Sequence, residues 1–155
     1  MTKPIAIPPN PERPATGNLL GVRELSGHPE SAGIARRFVE SKLGPEHPAL
    51  ETVTLLVSEA VTNSVVHSDS RDGGRITLAL ADFHHFVHVD VTYAGGETVP
   101  QVGGELCAEG GRGLLLVDAL SRRWAVWEHD AGRTLWFQVT YTRDPDDSVA
   151  SSASV

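Results

Sequence analysis

Cysteine and methionine each occur once in the 155 residues. The lone thiol, Cys107, excludes a disulfide framework within the chain and any zinc site built from clustered thiolates. Positive charge is also short: 13 Lys and Arg stand against 20 Asp and Glu, a net charge of −7. That balance argues against a non-specific grip on nucleic acid or on an anionic membrane, because phosphate contact needs a basic face. No apolar run approaches the roughly 18 residues that a membrane span requires. The opening stretch MTKPIAIPPNPERP has no apolar core behind its lysine, so it does not read as a secretory signal. A reducing cytoplasm is the expected home. The expected partners are proteins or small molecules, and any anionic ligand must be held by local groups.

What is present divides into three parts. Residues 1–16 hold Pro4, Pro8, Pro9, Pro11 and Pro14 and read as a flexible arm. Residues 143–155 are acidic and serine-rich and read as a disordered tail. Between them, residues 17–142 suffice for one two-layer core. Asn18 to Leu25 reads as a first strand. A helix opens near Pro29 and buries Ala32, Ala35, Phe38, Val39 and Leu43 before Gly44-Pro45 ends it. A second helix runs from Pro48 to about His67, with Leu50, Val53, Val57, Ala60, Val61 and Val65 on one side. Ile76, Leu78 and Leu80, then Val87, Val89 and Val91, alternate with other residues as a half-buried antiparallel pair. A glycine-rich stretch over 94–111 follows. A short helix from Gly113 to about Leu120 and a hairpin of Trp124–Glu128 and Thr134–Tyr141 complete the chain. The order β-α-α-β-β-loop-α-β-β predicts an α+β two-layer sandwich, a mixed, mostly antiparallel sheet with helices on one face.

Three segments carry polar chemistry. On the second helix, Glu59, Asn63 and His67 recur every four residues along one face. An amide oxygen is a hard ligand that suits Mg²⁺, which keeps waters and substrate phosphates in its shell. A carboxylate one turn away can orient or deprotonate a hydroxyl. Next, Gly110-Gly111-Arg112-Gly113 precedes a helix, where backbone N–H groups approach phosphates. Third comes Gly132-Arg133-Thr134-Leu135-Trp136-Phe137. Read one at a time, these fit a solvent-facing helix edge, a flexible loop and a hairpin turn. His84, His85 and His88 straddle a turn and a strand, and no Cys or carboxylate spacing completes a metal site around them.

In this order, Leu55–His67, Gly111–Trp124 and Gly132–Phe137 resemble the ATP-binding fold shared by histidine kinases, gyrase and Hsp90-type chaperones. The nearer resemblance is to its small stand-alone branch, the anti-sigma factor serine kinases and their actinobacterial relatives. It covers about residues 18–141. The resemblance implies Asn63 as the Mg²⁺ ligand and Glu59 as the residue that orients or activates the acceptor hydroxyl. It implies that Gly111, Arg112, Gly113 and Leu114 line the phosphates of ATP. Tyr93 and Gly95 would sit at the base end with Thr134, and residues 97–110 would form a lid. It further implies a regulatory protein that binds a sigma factor and phosphorylates a serine or threonine on an antagonist protein, with relatives often homodimeric.

The chain departs from that pattern at the base. Family members usually place an Asp at the end of the strand before the lid, where it accepts the adenine amino group. Here Tyr93 takes that position, Glu97 replaces a lid glycine, and Glu109 stands where some members have an Arg. Losing one buried hydrogen-bond partner costs about 1–3 kcal/mol. A second reading is therefore a degenerate binding module with weak or lost ATP affinity. A third is the detached catalytic domain of a histidine kinase, although no dimerising phospho-acceptor helix pair is present in the sequence.

Overall fold

The computed structural model describes residues 17–67, 74–93, 112–129 and 132–142. In chain order these form β1 (Asn18–Ser26), α1 (Ser31–Leu43), α2 (Leu50–His67), β2 (Arg75–Asp82), β3 (Phe86–Tyr93), α3 (Arg112–Leu120), β4 (Arg123–His129) and β5 (Gly132–Thr140). The arm, the lid segment with Glu97, Cys107 and Glu109, and the tail lie outside the described residues.

The strands make one five-stranded sheet in the order β1-β2-β3-β5-β4. Every neighbouring pair is antiparallel, whereas the sequence reading expected a mixed sheet. Topology explains the difference. Two helices separate β1 from β2, so the chain reverses direction three times and returns antiparallel. Strands β3 and β4 are co-directional, and β5 inserts between them antiparallel to both.

Alternation decides the core. Val87, Val89, Val91 and Tyr93 of β3 join Ile76, Leu78 and Leu80 of β2 and Leu135, Phe137 and Val139 of β5 on one face. Against that face lie Ala35 and Val39 of α1, Val53, Leu56, Val57, Ala60, Val61 and Val65 of α2, and Leu114 and Val117 of α3. Helix α2 packs between the other two helices and over β3 and β5. It tolerates its many β-branched residues because tertiary burial outweighs the small loss of helix propensity. Helix α1 starts at Ser31, two residues after Pro29, and its Ser31 hydroxyl donates to the Ser26 carbonyl. Gly44, at φ +87°, ends α1 and donates its N–H to the Glu40 carbonyl.

The second face of the sheet is not the wet side that its polar residues suggest. His88, Asp90, Thr92, Thr134, Gln138 and Trp136 all alternate onto it, and all are buried. The β2–β3 pair is thus buried on both faces at its centre, where the alternation predicted burial on one.

Candidate functional site

The topology gathers several chain ends at one end of the sheet. Helix α2 finishes at His67, shortly before β2 begins at Arg75, and Ile76 of β2 pairs with Tyr93, the last residue of β3. Tyr93 pairs in turn with Arg133, and Arg133 with Glu128 near the end of β4. Helix α3 ends two residues short of β4, which starts at the far end, so its N-terminus points back to this same end. The late part of α2, the end of β3, the start of β5 and the N-terminus of α3 therefore surround one region.

Asn63 belongs to this region. It is 3% exposed, one turn before the end of α2. Its Oδ1 is buried and has no hydrogen-bond partner. Leaving a buried acceptor unmade costs about 1–3 kcal/mol, and a ligand bound against this oxygen would offset that cost. A hard cation is the natural occupant of an amide oxygen held this way. Glu59 lies one turn earlier on α2 and is half-buried. Neighbouring hydroxyls do not compete for the carboxamide. Ser64 donates to the Ala60 carbonyl and Thr62 to the Ser58 carbonyl, both along the helix itself. Among the described residues no cluster of His, Cys, Asp and Glu could hold a metal, so a cation here would rest on one amide oxygen plus ligands brought with it.

The end of β3 is built differently from what an adenine amine would need. Tyr93 is 2% exposed and packs into the core cluster. Burial pushes its phenol up from 10.0 to about 12, although the adjacent Arg133 pulls the other way. Arg133 is 4% exposed and donates from Nε and Nη2 to Glu128 Oε1 at 3.1 and 2.7 Å. A neutral phenol and an ion-paired guanidinium stand where the resemblance expects the base. Neither offers the anionic acceptor that the resemblance places there. The sequence reading left Arg133 in the hairpin turn because it started β5 at Thr134. Extending the Leu135, Phe137, Val139 alternation back by one step would have placed Arg133 on the helix-side face.

Thr134 is not part of this region. It pairs with Thr92, one residue away from the Tyr93–Arg133 pair, and so turns to the opposite face of the sheet. There its Oγ1 lies 2.7 Å from Thr92 Oγ1 and 2.8 Å from His129 Nε2. Leu114, expected beside the phosphates, is a core residue of α3 at 1% exposed, so only its backbone in the first turn can face a ligand. Arg112 and Gly113 open α3. Gly95 and Gly111 fall outside the described residues.

His88 is buried on the second face between Asp90 and Gln138, and His84 and His85 are exposed at the β2–β3 turn. No helix among the described residues is long and apolar enough to cross a membrane.

Comparison with known proteins agrees with the ordering of these elements. The family model of the histidine kinase-like ATPase domain matches residues 25–139, from the end of β1 to the end of β5. A serine-protein kinase RsbW of Oceanobacillus iheyensis is 28% identical over 113 residues, which cover 63% of this chain and 72% of that protein. Residues 25–139 include α2, which carries Asn63, and the strands β3 and β5, which carry Tyr93 and Arg133. With its five-stranded sheet under three helices and this match over most of its length, the chain belongs to the histidine kinase-like ATPase domain family.

Proposed function

We propose that this protein is a cytoplasmic regulator of the anti-sigma type that binds Mg²⁺·ATP at Asn63 and transfers the terminal phosphoryl group to a serine or threonine of an antagonist protein. Sigma factor binding would be the output that this phosphorylation switches. The buried, unpartnered Oδ1 of Asn63 is the observation that carries the reading. The likeness to a serine-protein kinase supports the choice of a hydroxyl acceptor. In this reading Asn63 holds the Mg²⁺, which neutralises phosphate charge when bound. Glu59, one turn away, orients or deprotonates the acceptor hydroxyl. The first-turn amides of α3, from Arg112 to Leu114, face the phosphates and add the positive end of the helix dipole.

A specific observation favours a second reading as well. Tyr93 and Arg133 stand where the resemblance expects an anionic acceptor for the base, and neither supplies one, which fits a module that has kept the fold and works through protein contacts alone. One experiment separates the two. ATP is titrated by calorimetry with and without Mg²⁺ into the wild type and Asn63→Ala. Under the kinase reading the wild type binds with Mg²⁺ dependence and Asn63→Ala abolishes it. Glu59→Ala then spares binding and stops phosphoryl transfer to a serine-bearing antagonist protein. Equal ATP affinity in wild type and Asn63→Ala would remove Asn63 from the site.

A further inference from the structure

Every arginine whose side chain is described has a partner, except two. Arg36 donates to the Ser58 hydroxyl, Arg75 and Arg133 pair with Glu24 and Glu128, and Arg122 and Arg123 lie over the rings of Phe86 and Trp136. Arg23 and Arg37 make no ion pair and no side-chain hydrogen bond among the described residues. Both line one cleft of about 330 Å³, together with Ile34, Phe38 and Ser41. A chain of net charge −7 thus concentrates two uncommitted cations in one place. The walls of the cleft come from β1 and α1. Strand β1 is an edge of the sheet and pairs with β2 alone among the described strands. Gly21, Arg23 and Leu25 lie opposite Leu80, Leu78 and Ile76, so they share the helix-side face. Leu25 enters the core, whereas Arg23 is exposed. Glu24 turns to the other face, where it pairs with Arg75 at 2.9 Å and leaves Arg23 unneutralised. On α1, Ile34, Arg37, Phe38 and Ser41 recur at the spacing of one helical stripe. Ala35 and Val39, on the neighbouring stripe, are buried in the core. Helix α1 comes down onto β1 at Gly21, where an added Cβ would stand 2.9 Å from Lys42 Cε and 3.2 Å from the Phe38 ring.

We infer that this cleft receives an extended, acidic segment of a partner protein, which adds to β1 as a further strand and sets carboxylates on Arg23 and Arg37. The inference is independent of nucleotide binding. Strand β1 stands two strands from Tyr93, and the cleft contains none of the residues assigned to ATP. An open strand edge supplies backbone donors and acceptors to any extended chain. Sequence is read on the helix side. Residues two apart on an added strand stand about 7 Å apart on one face. An apolar side chain against Ile34 and Phe38 can therefore alternate with an acidic one at the guanidiniums. A guanidinium fork holds a carboxylate through two parallel hydrogen bonds. Charge complementarity selects the occupant, because the net negative charge of the chain disfavours an acidic segment away from such a cationic cleft. A second copy that added through its own β1 would bring another Arg23 and Arg37 to the same edge, like charge against like.

The test uses the full-length chain, isotope-labelled for amide resonances, and two eight-residue peptides. One is Thr-Val-Thr-Glu-Thr-Val-Thr-Glu, which carries valine and glutamate alternately on one face of a strand. The other has glutamine in place of both glutamates. The acidic peptide should shift the amide resonances of β1 and of the stripe from Ile34 to Ser41, and should slow hydrogen exchange of β1 amides. The glutamine peptide should bind about tenfold or more weakly, and so should the acidic peptide to a chain carrying Arg23→Gln and Arg37→Gln. That chain should keep the wild-type circular dichroism and nucleotide titration, since both side chains are exposed. Absence of binding at millimolar acidic peptide overturns the proposal. So does equal affinity of the two peptides, or of wild type and variant. Shifts confined to α1, with β1 exchange unslowed, overturn strand addition. The same shifts with inorganic phosphate at equal concentration overturn it in favour of a small-anion site. Protection of β1 amides that exists without peptide and falls on dilution overturns it in favour of a second copy.

Discussion

Thr92 and Thr134 share a hydrogen bond of 2.7 Å between their hydroxyls, on the face of the sheet that the helices leave alone. His129 completes the ladder through Nε2 at 2.8 Å from the same Thr134 oxygen. The threonine that the family resemblance assigns to the base is thus committed to neighbouring strands. Its role is to tie β3, β5 and β4 together.

Thr134→Val isolates that role. The substitution keeps the shape and suits a strand, but leaves the Thr92 hydroxyl and the His129 ring short of a partner. The expected cost is about 1–3 kcal/mol in urea unfolding. Nucleotide titration of the folded variant should follow the wild-type curve. Loss of nucleotide binding at unchanged stability would put Thr134 back at the base.

Tyr93→Asp asks the converse question on the first face. A carboxylate at the end of β3 supplies the anionic acceptor that the neutral phenol does not. The expected gain in ATP affinity is about tenfold to a hundredfold, from one buried hydrogen bond worth 1–3 kcal/mol. Tyr93→Phe, which keeps the ring and loses the hydroxyl, should leave affinity where it is. Calorimetry with Mg²⁺·ATP on the two variants decides the point. No gain in Tyr93→Asp would mean that the base does not lie against β3.

Much of this was legible in the residues, and the exceptions have physical causes. The alternation Val87, Val89, Val91 gave both the strand and its core face, because a period of two has only two phases. The stripe on α2 placed Asn63 and Glu59 on one helix, one turn apart. The second face was missed because His88, Asp90, Thr92 and Gln138 are polar, and polar alternation looks the same whether it meets water or is buried. Arg133 was missed because its pairing with Tyr93 depends on the register of two strands some forty residues apart in sequence. No local pattern reports that register. Thr134 was assigned by resemblance alone, and the same register turns it away.

The depth of Tyr93 has a spectroscopic signature. Burial holds its phenol neutral up to about pH 12, against an ordinary value of 10.0. The folded-state pKa lies above the unfolded one, so the stability tied to this group is fully present below pH 10 and is lost as pH rises toward 12. Absorbance at the tyrosinate band should show a component that ionises only in the upper part of that window. Tyr93→Phe should delete it. A Tyr93 component titrating near its ordinary value would show that the phenol reaches solvent and leaves the base position open.

At the opposite end of the sheet, Asp82 makes the fold sensitive to acid. Its Oδ1 accepts from the Tyr141 hydroxyl at 2.6 Å and from the His84 N–H at 3.0 Å, and its Oδ2 lies 3.2 Å from His47 Nε2. Partial burial by itself raises its pKa, but these hydrogen bonds and the His47 charge together outweigh burial and hold it below 3.8. The sign then follows from linkage. A depressed folded-state pKa contributes stability above the unfolded value, and that stability disappears as pH falls through the folded value. Asp82→Asn still accepts from Tyr141 and His84 but has no charge to lose. It should be less stable than the wild type near neutrality, and the difference should close as pH drops from about 5 toward 2. Urea midpoints of both chains across that range test the assignment. A difference that stays constant would mean that Asp82 is held by packing, with its charge contributing nothing. A closing difference would identify the carboxylate that joins β2, the segment before α2 and the end of β5 as a point where acid first loosens the sheet.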